Sequence, residues 1–142
     1  MMCPQCGAPP QDGRTCEDAY YQMLAWEFSD AVKGSVHHLT VPAYHLQHPA
    51  ELSADGWQQM LETLRAFVQG NSPQAMRARI RRQQQVDKVS LRRGSPARAA
   101  LRSWSVPVHT CFVDDPELYC QRVRVWAAAV VDDLRKAGFL PA

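Results

Sequence analysis

Residues 53–70 read SADGWQQMLETLRAFVQG, and their periodicity decides the fold class. Trp57, Met60, Leu61, Leu64, Phe67 and Val68 recur at the three-and-four spacing of one helical face. Ser53 stands where an N-cap belongs, with Asp55 in the first turn, and Gly70 is placed to end the helix. The same pattern returns at 114–138. Asp114, Asp115 and Pro116 open that helix, and Tyr119, Val123, Trp126, Val130 and Leu134 form its stripe, with Leu118 and Ala127 beside it. Arg135, Lys136 and Gly138 close it, basic side chains lying where the helix dipole is negative.

Working outward, two more helices are expected between the N-terminal segment and Ser53. The first runs from about Glu17 to Val32, on a stripe of Tyr20, Leu24, Phe28 and Ala31 flanked by Met23 and Trp26, with Gly34 as its stop. Glu27 sits on or beside that stripe. It is either a rim carboxylate reaching water or a half-buried ligand or proton acceptor. The second runs from about Ser35 to Gln47 in SVHHLTVPAYHLQHP, where Pro42 is expected to kink or break it. A fourth helix should start at Ser72-Pro73 and run to about Gln85, and a short one at Ser95-Pro96. Residues 106–113, VPVHTCFV, alternate loosely and are expected to be extended. The sum is an all-α protein, an antiparallel helical bundle of four to six helices. At 142 residues with 46% hydrophobic and 21% charged side chains, the chain suits a single soluble domain over 1–142.

The start of the chain is of another kind. MMCPQCGAPPQDGRTC holds three of the five cysteines in a segment too rich in Pro and Gly for regular structure. In Cys3-Pro4-Gln5-Cys6-Gly7, two intervening residues let both thiolates face one ion, and the Gly permits the reversal that turns backbone N–H groups toward sulfur. Cys16 can return a third thiolate across the next loop. This reads as a zinc-knuckle-like segment over 1–16 clamped onto the helices of 17–142. A redox pair, a disulfide and inert thiols are the alternatives. The redox reading is weakened because no strand precedes the motif.

A structural zinc site is almost always four-coordinate, so one ligand must come from elsewhere. Four of the five histidines, His37, His38, His45 and His48, lie within twelve residues. His48, at the expected helix end, is the first candidate. His37 and His45 are reserves, and His109 and Cys111 stand further back. His37 and His48 would lie about 16 Å apart along a continuous helix, too far to share an ion. The expected site is Cys3, Cys6, Cys16 and His48 around Zn2+. Cys120 reads as packing.

Charge is uneven. Residues 77–102 carry nine of the sixteen basic side chains, with Asp87 their one acid, although the whole chain is only +2. Such a run can neutralise phosphates, or it can be a solvated arm balanced by acids elsewhere. No window resembles a membrane span or a secretory signal, which together with five cysteines points to a reducing, cytoplasmic setting.

The CPQCG knuckle together with HHLTVPAYHLQHP resembles an uncharacterised family of small bacterial proteins, domain of unknown function 5946. The resemblance runs over much of the chain. It places weight on Cys3, Cys6, Cys16, His37 and His48, with Pro42 departing from the pattern, and it implies a site and no reaction. Three functions follow as expectations. The first is a Cys3His structural zinc protein that binds a protein or small-molecule partner. The second is a metal-dependent hydrolase or transferase with an open zinc position, Glu27 or His37 taking the proton. The third is nucleic-acid binding through the Arg-rich segment.

Overall fold

The computed structural model describes residues 2–75 and 103–140, and within them the protein is helical. The helix expected from Ser72-Pro73 begins there, residues 73–75 being helical and the Ser72 hydroxyl accepting the Ala75 N–H at 3.1 Å. The rest of it to Gln85, the short helix expected at Ser95-Pro96 and the Arg-rich segment lie outside the described residues. The elements are α1 (Cys16–Ser29), α2 (Ala31–Gly34), α3 (His37–Gln47), α4 (Ala54–Val68) and α5 (Pro116–Lys136), with 3-10 turns at Pro49–Glu51 and Val108–Cys111. No strand occurs among the described residues, only an isolated bridge between Gln11 and Arg14. No described helix is long and apolar enough to cross a membrane.

The two strongest sequence patterns set the frame. In α4 the Ser53 hydroxyl accepts the Gly56 N–H at 3.0 Å, and Trp57, Leu61 and Leu64 are buried. Gly70 follows the helix at φ 102°, the left-handed conformation that ends many helices. In α5 the Asp115 carboxylate accepts the Leu118 N–H at 2.8 Å. Every residue of its stripe, Tyr119, Val123, Trp126, Val130 and Leu134, is buried.

The α3 helix packs against both α4 and α5. It runs unbroken through Pro42, so of the expected kink or break the break does not occur. Proline there removes one N–H from the ladder. Apolar contact on both sides offsets that loss, since Leu39, Pro42, Ala43 and Leu46 are all buried. A buried amide strengthens the joint: Trp126 Nε1–H donates to Gln47 Oε1 at 3.1 Å, and Gln47 Nε2–H donates to the Val106 carbonyl at 2.9 Å.

Three sequence expectations are corrected. The first helix does not reach Val32. It stops at Ser29 because Asp30 caps the next helix, its Oδ1 accepting the Val32 and Lys33 N–H groups at 2.8 and 3.2 Å. Its buried face is also turned from the expected stripe. Cys16, Ala19, Tyr20, Met23 and Glu27 point inward, whereas Phe28 is 95% exposed. Cys16, the first residue of α1, is drawn in toward the other thiols, and the face it begins continues through Tyr20, Met23 and Glu27. Finally, 108–111 is a 3-10 turn and not extended. Val108 and Cys111, three apart and eclipsed in such a turn, are both buried.

Gly34 has a role beyond ending a helix. A Cβ there would meet the backbone oxygen of Glu27 at 2.6 Å. Backbone cannot swing aside, so Gly34→Ala should force α2 away from α1. We expect a loss of roughly 1–3 kcal/mol in urea unfolding, the range for overpacking. A change below about 0.5 kcal/mol would mean that the junction tolerates the displacement.

Candidate metal centre

The N-terminal segment is irregular yet tightly tied. The Gly7 N–H donates to the Cys3 carbonyl at 2.9 Å, and the Cys3 N–H to the Ala8 carbonyl at 2.8 Å. Gly7 takes φ 83°, so the reversal uses the freedom of glycine. Gln11 and Arg14 exchange two backbone hydrogen bonds around Asp12 and Gly13, both at positive φ, and this turns the chain back toward the knuckle. Thr15 then caps α1 reciprocally: its hydroxyl accepts the Asp18 N–H at 3.1 Å, while Asp18 Oδ2 accepts the Thr15 N–H at 3.0 Å. Cys16 is thereby held in the first turn of a helix, where the dipole favours a thiolate.

The fourth side chain arrives from the end of α3. His48 follows Gln47, the last residue of that helix, and its Nδ1–H donates to the Tyr44 carbonyl at 2.9 Å. That bond leaves Nε2 as the lone-pair nitrogen. Nε2 is buried and has no hydrogen-bond partner. The imidazole stacks on Tyr44 at 4.2 Å, and Tyr44 stacks on Tyr20 at 3.7 Å, so the ring is fixed in plane. The Gln5 side chain accepts the Ala50 N–H at 2.9 Å and pins the knuckle beside this helix end.

The Cys3, Cys6 and Cys16 sulfurs and a His48 nitrogen lie within 4.8 Å of one another and could hold a metal ion. The Cys6 and Cys16 sulfurs are 3.6 Å apart. Two thiolates on one tetrahedral zinc, each about 2.3 Å from it, would lie roughly 3.8 Å apart. The donor set therefore fits a tetrahedral cation, and the unpartnered His48 Nε2 is the polar atom such a cation would satisfy. Without one, the thiols compete for protons. A hydrogen bond from the Cys16 thiol holds Cys6 well below the usual thiol range against the opposing effect of burial. The same bond, burial and the neighbouring sulfurs push Cys16 up. Three ionised sulfurs in so small a volume need a positive charge among them.

A cleft of about 290 Å³ opens over this cluster, lined by Cys3, Cys16, His48, Tyr44, Thr15 and Glu17 among others. Cys3 is partly exposed, and Cys6 and Cys16 are each 4% exposed.

The other candidates fall elsewhere. His45 packs edge-on against Tyr20 and Tyr44, outside the group of four. His109 Nε2 approaches Cys16 Sγ at 3.8 Å, close enough for its N–H to donate to the sulfur. His109 is a neighbour of the cluster and not one of the four. Burial, then the charge of Arg14, lowers its pKa. Cys111 is buried apart from the cluster, and burial pushes its thiol up to about 12, which makes it inert. Cys120 is buried and donates to the Val32 carbonyl at 3.1 Å, in keeping with a packing role.

Glu27 and His37 form a second constellation. The Glu27 carboxylate is buried. His37 Nδ1–H donates to its Oε1 at 2.8 Å, and the Thr40 and Tyr119 hydroxyls donate to its Oε2 at 2.5 Å each. Of the two readings of Glu27, the inward one holds. His37 begins α3 and His48 follows its end. At 1.5 Å per residue that is about 16 Å, so neither Glu27 nor His37 can serve a water held at the cysteines. Thr40 and Tyr119 carried no sequence signal for this role. Tyr119 read as core, and Thr40 joins only because α3 faces α1 at that height.

The model of a family of unknown function, DUF5946, matches residues 1–135. Searches of curated proteins and of solved structures find no match.

Proposed function

The chain belongs to DUF5946, a family of unknown function, and from that premise we propose that it is a cytoplasmic binding protein built on a structural zinc centre. Cys3, Cys6, Cys16 and His48 are the ligands in this reading. The carrying observation is that four donors from two distant segments converge within 4.8 Å, and that the Nε2 of His48 is buried without a hydrogen-bond partner. Soft thiolates with one imidazole suit zinc better than hard cations. When bound, zinc would supply the charge that lets all three sulfurs ionise and would close the N-terminal segment onto α1 and α3. The Tyr44 carbonyl orients His48 as an outer-sphere partner should, and the His109 N–H can support Cys16 in the same way.

A second reading, a reactive metal centre, draws support from the cleft over Cys3, Cys16 and His48. It would need an open coordination position, and four protein donors leave none. Elemental analysis and X-ray absorption on the purified protein decide between the two. We expect one zinc per chain with three sulfur and one nitrogen neighbours. A shell containing a water-type oxygen in place of the nitrogen would favour the reactive centre, and absence of bound metal would remove both.

A further inference from the structure

The Glu27–His37 constellation is more than a helix tie, because its outer end is open. The Glu27 side chain is 1% exposed, whereas that of His37 is 56% exposed. A hydrogen bond from Nδ1–H to a carboxylate fixes the tautomer and leaves the Nε2 lone pair free. It also stabilises positive charge that develops on the ring when Nε2 forms a bond, the role a carboxylate plays behind a reactive imidazole. The carboxylate is held in place in turn: Thr40 from α3 and Tyr119 from α5 both donate to Oε2, so Oε1 is left facing the imidazole.

The position of the ring narrows the chemistry. His37 is the first residue of an eleven-residue helix, and Val36 caps that helix without a side-chain hydrogen bond. Negative charge is favoured at such an end. An electrophile that leaves an anionic group on Nε2 therefore suits the place better than one that leaves a neutral or cationic group.

We propose that His37 is a phosphoryl-accepting residue, with Nε2 as nucleophile and Glu27 as the positioning residue behind it. In the step, the Nε2 lone pair forms a bond to phosphorus as the bond from phosphorus to the leaving group breaks, and the leaving group departs with that electron pair. The Nδ1 proton stays between the ring and Glu27. With phosphoramidate as the donor, the phosphorus–nitrogen bond of its N-protonated form breaks and ammonia leaves.

The test uses phosphoramidate on the full chain. Phosphorylated positions are located by peptide mass spectrometry, and the ring nitrogen is identified by phosphorus NMR. His37 should be labelled at Nε2 at least tenfold faster than the same histidine in an isolated peptide spanning residues 33–42. Glu27→Gln should remove that advantage. Tyr119→Phe, which keeps the His37–Glu27 bond, should retain most of it. Should Glu27→Gln fail to fold, the comparison of intact protein with peptide decides alone. Labelling of His37 no faster than in the peptide, or labelling at Nδ1, overturns the proposal. This site shares no residue with the cysteine cluster, so the outcome does not depend on metal content.

Discussion

Removal of the proposed zinc by a strong chelator should lower the melting temperature of the protein by 10 °C or more. In small metal-bound domains the binding free energy is part of the folding free energy and can reach about 10–16 kcal/mol. Here the effect should be smaller, because α3, α4 and α5 bury a core of their own that includes Trp126, Leu46 and Leu61. A loss of only about 3 kcal/mol would still move the midpoint by roughly 10 °C in a protein of this size. The loss should be local at first. The N-terminal segment is tied to the helices by few bonds besides the cluster, among them that from the Ala50 N–H to Gln5. Amide exchange should therefore rise first over 2–16 and around His48. Cys6→Ala and His48→Ala should each reproduce the chelated melting curve, and chelation should add little to either variant, since all three remove the same cross-link. An unchanged melt after complete metal removal, verified by elemental analysis, would refute the structural role.

Replacing Glu27 with Ala should cost about 2–4 kcal/mol, because it removes the shared acceptor of two buried hydroxyls that tie α1 to α3 and α5. The carboxylate gathers donors from α3 and α5 into the side of α1, and the Thr40 and Tyr119 residues are themselves 0% exposed. The Tyr119 hydroxyl, left without an acceptor in a dry site, costs about 1–3 kcal/mol, whereas Thr40 keeps its longer bond to the Val36 carbonyl at 3.3 Å. Tyr119→Phe, which removes one donor and leaves the acceptor with two, should cost less. The two substitutions together should cost less than their sum, because they disrupt one network. Urea unfolding monitored by tryptophan fluorescence reads all three. If Glu27→Ala falls within about 0.5 kcal/mol of the unaltered protein, the carboxylate is not holding the helices together.

How far such features can be read without coordinates depends on where their partners come from. The α4 and α5 helices are legible because cap, stripe and stop lie within one short run, as in Ser53, Trp57 through Leu64, and Gly70. The rotation of α1 is not. Tyr20, Leu24 and Phe28 fit the helical repeat as well as Tyr20, Met23 and Glu27 do, and hydrophobicity favours the first set. The molecule uses the second because Tyr119, ninety-two positions away along the chain, brings a hydroxyl to Glu27. The break at Asp30 was hidden for a similar reason: a lone Asp in a helical pattern becomes a cap only when the chain turns there.

What the order of residues determined by itself was the helical class, the boundaries of the two best-patterned helices and a trio of cysteines spaced to face one point. These rest on local physics: the 3.6-residue repeat, capping by neighbours three apart, and a glycine turn after the second cysteine. The position of His48 at a helix end put it first among four clustered histidines, but only the tertiary structure brought it beside those sulfurs and buried Glu27. Both outcomes depend on the direction in which α3 leaves the core. It carries His48 to the knuckle at one end and His37 to a buried carboxylate at the other, and that direction is set by its contacts with α4 and α5.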